Sequence, residues 1–187
     1  MSHHDEILVT ALERFALQGI AATSIQDIAS HAGTSKANVL YHFGSKENLI
    51  SEALSPSLKD LEALLLQAET EGLATAQAQA SFVSLFVSFL VTHRLALHTV
   101  VTHPYSAETV PGLAAAHRLM GRMAELVTTS STGEYDRLRF GVAVSGATYA
   151  LVSAGILGVQ QLEPDDLQAL LTDVLTSMLQ PRVEVAS

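Results

Sequence analysis

The chain has 187 residues, a formal net charge of −9, 48% apolar residues but only 5% aromatic, and no cysteine. That length gives one domain or two small ones with a real core, and the missing cysteines exclude disulfides and thiolate metal sites. The negative charge argues against indiscriminate binding to polyanions, so any surface for nucleic acid must be local. Ala and Leu carry most of the hydrophobicity, which favours helices over sheets. The opening MSHHDEILVT has no basic segment followed by an apolar run, so a secretory leader is not expected and the expected location is cytoplasmic.

Apolar spacing is helical almost throughout. Ile7, Leu8, Ala11, Leu12 and Phe15 form one stripe, and Gly19 follows as a stop signal. TSIQDIASHAG offers two capping pairs, Thr23 with Gln26 or Ser24 with Asp27. Ile25, Ile28, Ala29 and Ala32 make its inner face, and Gly33 ends it. After a short turn, a third helix turns Val39, Leu40 and Phe43 inward, with Ser35 placed to cap it and Gly44 to close it. From Lys46 a longer helix runs toward Thr70, with an interruption open at Pro56. Helical stretches follow over 75–93 and 95–103, and another begins near Pro111. TTSSTG (128–133) reads as a polar loop, residues 134–160 as one long helix, and Pro164 opens the last helix. No strand pattern competes. The expected fold class is all-α, with about nine helices: a three-helix N-terminal lobe over 1–46 and a helical bundle over 47–187.

Residues 72–92 and 140–159 lack Asp, Glu, Lys and Arg over about the length of a bilayer span. Their content of Gln77, Gln79, several Ser and Thr, and four glycines in the second stretch favours helices buried inside a bundle. No membrane partner is expected.

The second and third helices, joined by the tight GTS turn, make a helix-turn-helix. Such a unit enters a major groove when its last helix is short and its outer face carries small or polar residues. Gly33 allows the sharp turn, Ser35 leaves backbone N–H groups able to meet a phosphate, and Ala37 permits close approach.

ILVTALERFALQGIAATSIQDIASHAGTSKANVLYHFGSKENLISEAL, spanning about residues 6–54, resembles the N-terminal DNA-binding domain of TetR-family transcriptional regulators. The rest of the chain resembles that family only in helical plan and length. The resemblance implies a homodimer that reads a palindromic operator in double-stranded DNA, with a C-terminal domain that binds a small effector and dimerises through its last two helices. Position by position it implies base contacts from Lys36 and Asn38, residue types that suit guanine O6/N7 and adenine N6/N7. It places Ser35, Tyr41, His42 and Lys46 at phosphates, and Thr23 and Ser24 at the DNA backbone, with Gln26 a weaker contact. Leu40 departs from the pattern, because many members carry Tyr there. Charge departs too: residues 1–50 hold three basic side chains against five acidic, a net of −2. Few phosphate contacts and a shallow salt dependence follow.

For the effector, a small apolar molecule, the candidate pocket is lined by Phe82, Phe86, Phe89, His93, Leu97, His98, His117, Met120 and Tyr149. His93, His98, His103 and His117 are spaced 5, 5 and 14 apart, which does not put two on one helical turn, so no metal site is expected. No nucleophile motif, phosphate loop or carboxylate pair occurs, so neither an enzyme nor a cofactor is expected. Gly146, Ala150, Ala154 and Gly158 recur every four residues and let another helix approach closely. With Leu167, Leu171, Val174 and Met178 of the last helix they form the candidate dimer interface, a four-helix arrangement built from two subunits. The alternative is a helical ligand-binding protein of the same fold without specific DNA binding.

Overall fold

The computed structural model describes residues 2–103, 109–130, 133–153 and 162–179, and every regular element among the described residues is a helix. In chain order these are α1 (His3–Gln18), α2 (Ile25–His31), α3 (Lys36–Phe43), α4 (Lys46–Glu71) and α5 (Ala76–Thr92). α6 (Arg94–Thr102), α7 (Pro111–Ser130), α8 (Glu134–Val152) and α9 (Pro164–Leu179) complete the set.

Local chemistry explains most boundaries. Ser2 Oγ accepts from the Asp5 N–H at 3.2 Å while the Asp5 carboxylate accepts from the Ser2 N–H at 2.9 Å, a reciprocal cap on α1. Ser24, Ser35 and Ser45 accept in the same way from the N–H groups of Asp27, Asn38 and Asn48, at 3.0, 3.1 and 3.1 Å. Of the two caps open for α2, Ser24 is the one used. Gly19, Gly33 and Gly44 hold φ of +85°, +66° and +74°, a region hostile to a side chain, and each sits where the chain leaves a helix or turns into the next.

Three boundaries differ from expectation. α4 runs unbroken through Pro56. The missing N–H deprives only the Glu52 carbonyl, and both residues lie on the exposed side of the helix, where that loss costs least. α7 continues to Ser130, into the segment expected to be a loop, because the Thr128 and Thr129 hydroxyls donate to the Ala124 and Glu125 carbonyls at 2.8 and 2.9 Å and follow the helix rather than oppose it. α8 ends at Val152, where the Ser153 N–H donates to the Tyr149 carbonyl. The continuation expected over 154–160 lies outside the described residues, as do Ala154 and Gly158.

The chain divides into two compact units. The first takes in residues 1–62 and 93–121, the second 63–92 and 122–187. In the first, Ile7, Ala11 and Phe15 of α1 meet Ile28 and Ala29 of α2, Val39 and Phe43 of α3, and Leu49, Ile50 and Leu54 of α4. Ala96 and Val100 of α6, with Val110, Leu113 and Ala116, close the same core. The three-helix lobe is therefore completed by residues about 50 to 100 positions further along the chain. α7 comes especially near α4. The Gly112 N–H donates to Ser51 Oγ at 3.0 Å, and a Cβ at 112 would lie 2.6 Å from Ser51 Cα.

In the second unit α9 packs on α5 and α8. Phe82 and Phe86 stack with centroids 5.6 Å apart, and Phe140 lies 5.7 Å from Phe82. Val83, Val87, Leu90, Ala143, Ala147, Leu167 and Leu175 of the same unit are buried as well. The uncharged stretch ending at residue 92 is thus core helix. Among the described residues no single helix is long and apolar enough to cross a membrane. At the unit's surface the Arg122 guanidinium grips both oxygens of the Glu69 carboxylate at 3.0 and 2.8 Å.

Candidate nucleic-acid interface

Burial of Val39 and Phe43 decides which side of α3 faces outward. With those two fixed in the core, Lys36, Ala37, Tyr41 and His42 are exposed, Tyr41 keeping 84% of its surface. Leu40, expected to turn inward, is exposed at 36% because it follows Val39 by one position and so falls about 100° round the helix. Ser35 serves the cap as acceptor only, so its hydroxyl hydrogen stays available to a phosphate. The first turn of α3 adds unbonded N–H groups and its positive dipole end.

The other expected contacts are distributed unevenly. Asn38 is half-buried, and its side-chain amide donates one N–H to Thr34 Oγ1 at 2.9 Å, which leaves its second N–H and its carbonyl oxygen for a base. His42 stands edge-on to Tyr41 at 5.4 Å and to His4 at 6.0 Å. Ser24 is exposed at the start of α2, as is Gln26.

Thr23 departs from expectation. It is 1% exposed, and its hydroxyl bonds the Gly19 and Arg14 carbonyls at 2.8 and 3.2 Å. The side chain closes the α1–α2 turn from inside and offers nothing to DNA. Lys46 departs in part: it is half-buried, and its ammonium donates to the Ile20 carbonyl. Loss of hydration holds its pKa below the ordinary lysine value. Arg14 is also engaged, its Nε donating to the Asp27 carboxylate at 2.9 Å across α1 and α2. Of the three basic residues in 1–50, Lys36 is therefore the cation set on the exposed face.

Two residues outside the expected set support this surface. His4 is half-buried, with its ring 4.8 Å from that of Phe43 and Nε2 3.0 Å from a Glu52 oxygen, so α1, α3 and α4 meet through one imidazole. His103, at the end of α6, accepts the Ile20 N–H at 3.0 Å. Nothing local in the sequence signals either contact.

The residues expected to surround an effector are placed differently from one another. Phe82, Phe86 and Phe89 are buried in the second unit, whereas Tyr149 is 64% exposed there. Tyr149 lies on the outward face of α8, opposite Ala143, Ala147 and Leu151, and so does not line the interior. In the first unit His93, Leu97, His98 and His117 are half-buried, and Met120 is 39% exposed at the surface. His93 Nε2 lies 2.7 Å from an Asp60 oxygen, and His117 Nδ1 donates to the Leu113 carbonyl at 2.9 Å. His98 Nδ1 is buried without a hydrogen-bond partner among the described residues, and burial lowers its pKa. An open groove along α9, lined by Asp165, Gln168, Ala169, Thr172, Asp173 and Thr176, contains none of the expected residues. Among the described residues no group of His, Asp or Glu is arranged to hold a metal ion.

On the candidate dimer face, Gly146, Val174 and Met178 are exposed and Ala150 and Leu171 half-buried. Leu167 departs from expectation: it is buried in its own unit, because α9 turns it with Leu175 and Leu179 toward the core.

Residues 7–53 match the family model described as bacterial regulatory proteins, tetR family. Over 53 residues the chain is 42% identical to the HTH-type transcriptional repressor KstR2 of Mycolicibacterium smegmatis, a match covering 28% of this chain and 26% of that protein. The chain thus matches about a quarter of the length of such curated relatives. Among solved structures, a TetR-family transcriptional regulator from Bordetella parapertussis 12822 aligns with a TM-score of 0.65 and 19% identity, over 98% of this chain and 97% of that one. A transcriptional regulator (TerR/AcrR family) from Aquifex aeolicus VF5 aligns with a TM-score of 0.64 and 17% identity, over 95% and 99%. The fold is thus shared along nearly the whole chain, while sequence likeness to the curated relatives is concentrated in the lobe that carries α2 and α3.

Proposed function

We propose that this chain, whose N-terminal lobe is a TetR-type helix-turn-helix domain similar to those of transcriptional repressors, is a ligand-responsive repressor that binds a palindromic operator as a homodimer. The observation that carries the reading is the outward face of α3: a serine-capped helix start, Lys36, a small Ala37 and the exposed Tyr41 and His42, held in place by buried Val39 and Phe43. Lys36 and Asn38 read base edges, while Ser24, Ser35, Tyr41 and His42 position the phosphates. Residues 1–46 do the reading, and residues 47–187 sense the effector and dimerise.

Dimerisation is supported by α8 and α9. Leu138, Val142 and Tyr149 of α8 are 68%, 50% and 64% exposed at spacings that share one helix face. Leu170, Val174 and Met178 repeat every four residues on α9 and are 48%, 44% and 37% exposed. Apolar rows of this kind mark a surface for another protein, and a second copy supplies the linked reader that two half-sites require. A small apolar effector releases the DNA if it binds the two conformations with different affinity.

The test begins with duplexes selected by the wild-type protein from a random library. A palindrome bound by two chains, with affinity that falls as salt rises, is the expected result. Lys36→Ala should relax base preference at one position of each half-site, by about 1–3 kcal/mol of discrimination. No selected sequence, or a single copy on an asymmetric site, would refute the reading. The second reading, a ligand-binding protein of this fold without specific DNA binding, is favoured by one observation: Arg14 and Lys46 are both engaged within the lobe, and residues 1–50 carry a net charge of −2.

A further inference from the structure

The α1–α2 turn is held from outside its own helices. The His103 ring lies between two partners that fix its state. Nδ1 is 3.0 Å from the Thr99 carbonyl, which can only accept, with Thr102 Oγ1 also at 2.9 Å. Nε2 is 3.0 Å from the Ile20 N–H, which can only donate. The ring is therefore neutral, protonated on Nδ1, and uses Nε2 as an acceptor. A doubly protonated ring would set N–H against N–H.

The same peptide segment is held on its other side. The Ile20 carbonyl takes the Lys46 ammonium at the start of α4, and the Gly19 carbonyl takes the Thr23 hydroxyl at 2.8 Å. One short turn, closed on itself by Thr23, thus joins α6 through His103 and α4 through Lys46. Gly19 makes the approach possible: a Cβ there would lie 3.1 Å from His103 Nε2, and its φ is +85°. Eighty-three positions separate Ile20 from His103, so the bond is a tertiary connection rather than a local cap. Ile20 is 8% exposed, so an N–H released from this bond finds little water to replace it.

We propose that His103 is a positioning residue for DNA reading: its neutral imidazole latches the α1–α2 turn to α6 and so fixes how α2 and α3 present their outer face. The inference rests on the function proposed above, and it assigns to α6 control over that surface through one side chain that never touches DNA.

The experiment compares His103→Leu, which fills similar space without an acceptor, with His103→Gln, whose side-chain carbonyl can accept the Ile20 N–H. Fluorescence anisotropy is read on the palindromic duplex selected by the wild-type protein and on a mixed-sequence duplex. Hydrogen exchange is followed at the Ile20 and Asn38 amides. His103→Leu should bind the selected duplex about tenfold more weakly and the mixed duplex unchanged, and His103→Gln should recover to within about threefold. Exchange at Ile20 and Asn38 should accelerate in the Leu variant and return in the Gln variant. Equal loss on both duplexes, wild-type affinity in His103→Leu, or unchanged Ile20 exchange would overturn the proposal. If the wild-type protein selects no duplex, the DNA-binding reading fails and exchange alone decides: acceleration at both amides sustains the latch, and no change removes it. His103→Asn, too short to reach Ile20, replaces the Leu variant if that one does not fold.

Discussion

The outer face of α3 and the outer faces of α8 and α9 are both exposed, yet they are composed in opposite ways. On α3 the apolar residues Val39 and Phe43 are taken into the core, leaving Lys36, Ala37, Tyr41 and His42 outside with Leu40, at 36% exposure, as the one large aliphatic side chain among them. On α8 and α9 the core takes Phe140, Ala143, Leu167 and Leu175, and a second apolar row of Leu138, Val142, Leu170 and Val174 remains in solvent. Both regions are helical and similarly packed on one side. What differs is how much apolar surface is left over, and that remainder identifies the partner each face suits: a hydrated polyanion for the first, protein for the second.

The strongest way to break the contrast is to remove the core that turns α3. Phe15 is fully buried between α1 and the helix-turn-helix, and Phe15→Ala should lower unfolding free energy by about 3–5 kcal/mol, measured by urea denaturation. Preserved stability would mean that α3's orientation does not depend on that core. Next, Val174→Asp places a carboxylate on the α9 row. Because Val174 is 44% exposed in the single chain, its helical content should persist while association weakens by about 3 kcal/mol, read by sedimentation velocity. An unchanged sedimentation coefficient would remove the protein-facing assignment. Ser35→Ala, which deletes the cap of the reading helix, should cost about 1 kcal/mol in a thermal melt, and a neutral result would show that α3 is held by packing alone.

The smallest effect concerns pH. Burial lowers the His98 pKa below its ordinary value of 6.5, so the folded chain favours the neutral ring and the unfolded chain binds the proton first. This contribution to stability is complete above 6.5 and is lost as pH falls below it. His98→Leu should flatten the acid side of a melting-temperature profile, and an unaltered slope would assign the dependence to other groups.

Much of this was legible in the sequence because its causes are local. Serine three residues before an available N–H defines the starts of α2 and α3, and glycine marks the exits of α1 to α3, without reference to the rest of the chain, whereas the Ser2 cap of α1 went unread. The unreadable parts depend on burial or distance. Thr23 and Ser24 carry the same hydroxyl one position apart, and only the packed turn shows which caps and which is enclosed. Lys46 has the composition of a phosphate contact, but its reach to the Ile20 carbonyl is settled by tertiary structure. Tyr149 shares apolar character with Phe82 and Phe86, and nothing in its spacing reveals that α8 turns it outward. Asp60 and His93 meet across 33 positions for the same reason.

Gly112 sets a limit on how this chain can vary. Where it crosses Ser51, a lone hydrogen fits and a methyl group does not, and the obstacle is main chain, which cannot rotate aside. Even alanine would force the two helices to part, one turn beyond the start of the rod that begins at Lys46. The tolerance of the reading lobe to substitution is therefore set partly at a position with no charge, no side chain and no access to DNA.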